Sequence, residues 1–178
     1  MAHKAQYEFC SKVVNMNKNL FVNKKVLDCG SLDINGNNRH MFTDCEYIGI
    51  DVGAGKNVDV VSTIHEYPGK DEEFDIIVST ECGEHDMYWK ESLLQTVRMF
   101  KPGGIFVFTC ATHGRAEHGT RRSQPKDAPL LQGEWSDYYR NLDESDIRSA
   151  IDIENAFESF EFLVHEGHRD LQFWGIKS

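Results

Sequence analysis

The chain has 178 residues, 40% of them hydrophobic and 27% charged, which suits one globular domain with a real core and excludes disorder and fibrous repeats. Nineteen Lys and Arg against 29 Asp and Glu give a formal charge of -10, so a nucleic-acid partner held by a summed positive field is not expected. No run approaches the roughly 18 apolar residues of a membrane span, no signal-type apolar region opens the chain, and Cys10, Cys29, Cys45, Cys82 and Cys110 form no C-x-x-C pair, so a soluble, cytoplasmic protein with reduced thiols is expected.

In chain order, residues 5–21 place Tyr7, Cys10, Val13, Val14 and Phe21 at helical spacing, predicting an amphipathic helix within segment 1–23. Residues 24–30 read as a short buried strand ending in Asp28, Cys29 and Gly30, and residues 35–42 as a helix. Residues 47–51 repeat the pattern of apolar strand then acid, ending in Asp51; residues 58–61 and 74–79 are further strands. Leu93, Val97 and Phe100 predict a helix over 87–100, which Lys101-Pro102-Gly103-Gly104 stops before the strand 105–109. Residues 111–142 are polar, long for a connection, and read as a lid or binding segment. Asp143 caps a predicted helix over 143–155, and strands follow at 160–164 and 171–176. Strands separated by helices imply a mostly parallel sheet, but the link 166–170 is too short for a crossover, so the last strand is predicted antiparallel.

In such a sheet, ligands bind beyond the carboxyl ends of the strands, here marked by Asp28, Gly30, Asp51, Ser79 and Thr109. An acid ending the second strand suits a ribose, because a carboxylate accepts from both hydroxyls. The turn Gly30-Ser31-Leu32-Asp33-Ile34-Asn35-Gly36 is no G-x-G-x-x-G, and no phosphate-cradling P-loop is present. Its Asp33 and scant positive charge favour a ligand with cationic groups over a pyrophosphate.

These pieces resemble the class I S-adenosylmethionine-dependent methyltransferases, in particular the small type 11 methyltransferase domains, from about Val26 to Lys177. Val26-Leu27-Asp28-Cys29-Gly30-Ser31 is similar to the first motif and Tyr47-Ile48-Gly49-Ile50-Asp51 to the second. The stretch from Asp59 to Pro68 is similar to the adenine-side segment, and Phe74 to Glu81 with Glu84-His85 to the fourth strand and its EH signature. Phe100-Lys101-Pro102-Gly103-Gly104 is similar to the family's L-K-P-G-G turn. The resemblance implies a Rossmann-like α/β fold: a seven-stranded, mostly parallel sheet with its last strand antiparallel and helices on both faces, in one domain over 1–178. It implies S-adenosyl-L-methionine as cofactor, held by Asp28, Gly30, Ser31, Asp33, Asn35, Gly36, Asp51, Val52, Thr63, Ile64, Ser79 and Glu81. Thr63 stands where many members carry an acid toward the adenine amino group.

A positioned base serves an acceptor with a hydroxyl or amine, and His85, His113 and His118 are the candidates. Gly114-Arg115-Ala116-Glu117-His118-Gly119 and Asp137-Tyr138-Tyr139-Arg140 resemble the E-H-G and D-Y-W-R pieces of a family subset, which implies an acceptor side at Glu117, Tyr138, Tyr139 and Arg140; the charge of Arg121 would suit a phosphate or acidic acceptor there. The expected reaction is methyl transfer to oxygen or nitrogen of a small-molecule or sugar-type acceptor. The rival reading is a catalytically silent S-adenosylmethionine-binding module that regulates or senses. His165 and His168 have H-x-x-H spacing without a convergent third ligand, so no metal site is expected.

Overall fold

The computed structural model describes residues 3–178. Its strands are β1 (Lys25–Cys29), β2 (Glu46–Asp51), β3 (Val60–Val61), β4 (Phe74–Thr80), β5 (Phe100–Ala111), β6 (Phe157–His165) and β7 (Asp170–Lys177). They form one sheet in the order β3-β2-β1-β4-β5-β7-β6. β1 to β5 pair in parallel, and β7 lies antiparallel between β5 and β6, as the short link before it required.

Side chains alternate across a strand, so each central apolar run supplies both faces of the sheet. Val26, Ile76, Val78, Ile105 and Val107 point to one face, where Phe9, Cys10 and Val13 of helix α1 (Lys4–Met16) cover them. Leu27, Ile77, Phe106 and Phe108 point to the other, against Leu93 and Met99 of α2 (Trp89–Met99) and Ile147 of α3 (Glu144–Ala150). Burial of one such side chain stabilises the fold by about 1.5–3 kcal/mol.

Beyond shifts of a few residues at strand and helix ends, four features differ from the sequence reading. Residues 18–21 leave α1 as a separate 3-10 turn. Residues 35–42 form no α-helix, only a 3-10 turn over Arg39–Met41. There Asp33 accepts from the Gly36 backbone and Asn37 from the Arg39 backbone at 2.8 and 2.9 Å, so short polar side chains take the donors a helix needs. The predicted helix 143–155 splits into α3 and α4 (Ile153–Ala156). Asp143 caps the first through a reciprocal box with Asp146, but Asp152 accepts from the Asn155 backbone and opens a second helix. Phe100 starts β5 instead of ending α2, and the register between β4 and β5 slips between Phe74 and Ile76 to absorb Lys101 to Gly104, with Gly103 at φ +73°.

The carboxyl ends of β1, β2 and β4 meet where the strand order reverses, between β1 and β4. Segment 112–143 returns across those ends with 3-10 turns at Pro125–Asp127 and Gly133–Asp137. Among the described residues no helix is long and apolar enough to cross a membrane.

Candidate active site

A cleft opens at that reversal, with about 940 Å³ of empty space when the open solvent at its mouth is included. Its floor is the turn after β1. Gly30 sits at φ +76°, and a Cβ there would lie 2.6 Å from the Cys82 Sγ. The backbone N–H groups of Gly30 and Ser31 both donate to the Ile50 carbonyl, at 2.9 and 3.0 Å. The two strand-end turns are thereby locked together.

Asp51 ends β2 with both carboxylate oxygens oriented. Oδ2 accepts from the Leu32 backbone at 3.0 Å and Oδ1 from the Val52 backbone at 2.8 Å. Burial raises its carboxyl above the ordinary value, against those two hydrogen bonds. Asp28 is buried beneath the turn, accepts from the Tyr47 hydroxyl, and is pushed up to about 7 by burial. Glu81, after β4, accepts from Thr109 Oγ1 at 2.9 Å and faces His3 Nε2 at 3.3 Å. Burial alone would raise Glu81; the His3 imidazole outweighs it and holds the carboxyl below its usual range.

Asp28, Asp51, Glu81, Asp86 and Asp127 all line the cleft, and none of its lining residues is Lys or Arg. The rest of the wall is largely apolar: Leu32, Ile34, Ile64, Leu130, Leu131 and Trp135. Such a wall favours a ligand with cationic groups and repels a pyrophosphate, as the turn sequence had suggested.

Most of the predicted cofactor set converges here: Asp28, Gly30, Ser31, Gly36, Asp51, Val52, Thr63, Ile64 and Glu81 all line the cleft. Three residues do not. Asp33 turns away to Gly36, Asn37 and the Lys56 ammonium, the last at 2.6 Å, and braces the turn from outside. Asn35 lies exposed on the same turn. Ser79 faces a smaller cavity under α2, and its neighbour Thr80 takes the place on the cleft wall because alternate strand residues face opposite sides.

The acceptor-side expectations change more. Segment 112–143 does cover the cleft, but through Asp127 to Leu131 and Trp135. Leu130 lies over Gly53, where a Cβ would be 3.2 Å from Leu130 Cδ2. Glu117, Arg121, Tyr138, Tyr139 and Arg140 are outside the lining. Arg121 grips Asp137 with Nε at 3.0 Å, Glu117 accepts from Thr120 at 2.6 Å, and Arg140 meets Asp146 at 2.6 Å while lying over the Trp89 ring. These charges hold the segment in shape. The apolar Ala128-Pro129-Leu130-Leu131 in a polar stretch was the signal for the true covering residues.

Of the three histidines, His113 is exposed and off the cleft, His85 lines it, and His118 is buried behind His85 with ring centroids 5.1 Å apart. Burial depresses His85 to about 3, so it is neutral at physiological pH and a weak proton acceptor. Beneath the cleft, Gln6 of α1 donates to Asn38 at 3.0 Å, and Asn38 donates to Thr80 at 3.1 Å. The N-terminal helix thus braces the cleft wall, a contact that helical periodicity alone does not reveal.

The sheet order, the reversal point and the acid-ended strands define a Rossmann-like class I methyltransferase fold. Residues 27–108 match a family described as a methyltransferase domain. S-adenosyl-L-methionine is the cofactor of this class. Among solved structures, the CurJ carbon methyltransferase is 17% identical with a TM-score of 0.63; the alignment covers 89% of this chain but only 49% of that one. The 1,6-didemethyltoxoflavin-N1-methyltransferase of Burkholderia thailandensis, solved with 1,6-didemethyltoxoflavin and S-adenosylhomocysteine, is 13% identical, with a TM-score of 0.63 and coverage of 94% and 76%. A methyltransferase in complex with the Trm112 activator of Haloferax volcanii is 12% identical, with a TM-score of 0.59 and coverage of 97% and 93%. Comparison with curated proteins gave no match.

Proposed function

We propose that this chain transfers a methyl group from S-adenosyl-L-methionine to an oxygen or nitrogen of a small-molecule or sugar-type acceptor. The acid-lined cleft free of Lys and Arg, with an oriented Asp51 at its centre, carries this reading. When bound, the cofactor supplies an electrophilic methyl group on a sulfonium. Asp51 would accept from the ribose hydroxyls, and Val52, Thr63 and Ile64 would flank the adenine. Gly30 would let the backbone approach the methionine end, where a Cβ is already excluded by Cys82. Asp28 and Glu81 would supply negative potential toward the cofactor's positive charges.

The chain's own contribution to rate is positional. Leu130, Leu131 and Trp135 line the cleft from the covering segment and Cys82, His85 and Asp86 from the turn after β4, and together they would exclude water around the acceptor. All five cysteines are free, which fits a cytoplasmic setting. Calorimetric titration with S-adenosylhomocysteine, followed by transfer of a labelled methyl group into fractionated small molecules, tests the proposal. Saturable binding with transfer is the expected result; binding without transfer to any fraction would favour a silent cofactor-binding module, and no binding would remove the reading.

A further inference from the structure

Glu84 and His85 sit in a 3-10 turn (Gly83–His85) after β4, and the covering segment brings His118 against them. Their exposures are 0%, 6% and 5%. Both Glu84 carboxylate oxygens, both His85 ring nitrogens and His118 Nε2 have no hydrogen-bond partner among the described residues. Buried polar atoms of this kind are rarely left unsatisfied. One ligand atom from each of the three residues lies within 4.8 Å of the others. His118 Nε2 is 3.9 Å from Glu84 Oε1, too far for a hydrogen bond. Donors sharing an ion at about 2.1 Å in tetrahedral geometry lie roughly 3.4 Å apart, so a small inward shift closes the set.

The surroundings orient these donors. His118 Nδ1 lies 3.1 Å from the Ala116 carbonyl; a carbonyl only accepts, so Nδ1 carries the proton and the Nε2 lone pair faces Glu84. Gly119, at φ +68°, permits the close approach, since a Cβ there would lie 2.6 Å from His85 Cε1. The other convergent group, His3, His168 and Asp170, is different: Asp170 is neutralised by His3 at 3.1 Å and Arg115 at 3.0 Å, an ordinary ion network.

We infer that Glu84, His85 and His118 form a binding site for a divalent transition-metal ion. Two imidazoles and one carboxylate are the donor set of open zinc and non-haem iron sites, where further positions remain for water or substrate. Spacing hid it from the sequence, because His118 is far along the chain from Glu84-His85. His85 also lines the cleft, so an ion there can hold an acceptor oxygen and increase the acidity of an acceptor hydroxyl. That role rests on the methyltransferase reading; the site itself does not.

Tag-free full-length protein, stripped with a chelator, would be titrated with Co²⁺ alone and followed by visible ligand-field absorption, then challenged with Zn²⁺. The expected result is one ion per chain, displaced by Zn²⁺, with affinity at least about tenfold weaker in His118→Ala and in the near-isosteric Glu84→Gln, and unchanged in His168→Ala. Stabilisation of each variant by S-adenosylhomocysteine reports that it is folded. Absence of Co²⁺ binding in the unmodified protein, or binding unmoved by both site variants, overturns the inference. Site-dependent Co²⁺ binding without any stabilisation by S-adenosylhomocysteine supports the metal site and overturns its catalytic role.

Discussion

The Leu32 backbone N–H donates to Asp51 Oδ2 at 3.0 Å, joining the turn after β1 to the end of β2 across the cleft floor. With the Val52 N–H on Oδ1 at 2.8 Å, the carboxylate is fixed before any ligand arrives, so little ordering remains to oppose binding. Asp51→Ala is expected to weaken S-adenosylhomocysteine binding by at least about tenfold, roughly 1.4 kcal/mol. At ligand near 100 times Kd, the unmodified protein should gain about 2.7 kcal/mol of stability, and the variant distinctly less. Calorimetry reads the first and denaturant unfolding the second; an unchanged affinity would release Asp51 from the ribose.

Gly30 tests the turn itself. Its φ of +76° disfavours any L side chain, and a Cβ would meet Cys82 Sγ at 2.6 Å and Cys82 Cβ at 2.7 Å. Gly30→Ala is expected to cost about 2–4 kcal/mol of stability, from left-handed backbone strain plus overpacking. Urea unfolding measures it, and Cys82→Gly in the same chain should recover the steric part while leaving the strain. A neutral Gly30→Ala would show that the turn relaxes freely.

The sheet and the cofactor side were legible because they are local. Val26 to Gly30 and Tyr47 to Asp51 carry their signal in consecutive residues, a short apolar run with an acid at or near its carboxyl end, and the two runs pair side by side in the sheet. What failed depends on competition or on distance. Residues 35–42 have helical spacing, but Asp33 and Asn37 spend their side chains on local backbone donors. Glu117 and Arg140 came to the acceptor side by resemblance and Arg121 by its charge, whereas in the fold each is held by a neighbour within the segment or just beyond it. The meeting of His118 with Glu84 and His85, and of His3 with Glu81, exists only after folding.

Leu130 should act on affinity more than on stability. It is only half-buried over Gly53, so the free protein loses little when it is shortened. A ligand in the cleft would complete its burial, and losing that contact is worth about 1–2 kcal/mol, or roughly 5- to 30-fold in Kd. Leu130→Ala is therefore expected to weaken S-adenosylhomocysteine binding by that factor, in calorimetry, with a melting temperature near that of the unmodified protein. A large fall in melting temperature with unchanged affinity would make the segment a structural strap instead of a cover.

His3 links the start of α1 to the cleft wall and to β7, and its charge makes the fold sensitive to alkali. Its ring lies 3.3 Å from Glu81 Oε2 and 3.1 Å from Asp170 Oδ2, and stacks on His168 at 4.5 Å between centroids. Burial opposes the imidazolium, but the two carboxylates outweigh it and raise His3 to about 9 from 6.5. A raised pKa means stability fully present below about pH 6.5 and lost as pH climbs through about 9. Arg115 remains on Asp170 at 3.0 Å throughout, so only the His3 share of the network is lost. Glu81 is shifted the opposite way, below its ordinary value, so its share disappears in acid, beneath about pH 4.5. The stability difference between the unmodified protein and His3→Gln is therefore expected to be about 1–2 kcal/mol near pH 6, after allowance for partial solvent screening, and to shrink toward zero by about pH 10. Urea unfolding at several pH values measures it; a difference constant across that window would assign His3 to ring packing on His168 alone.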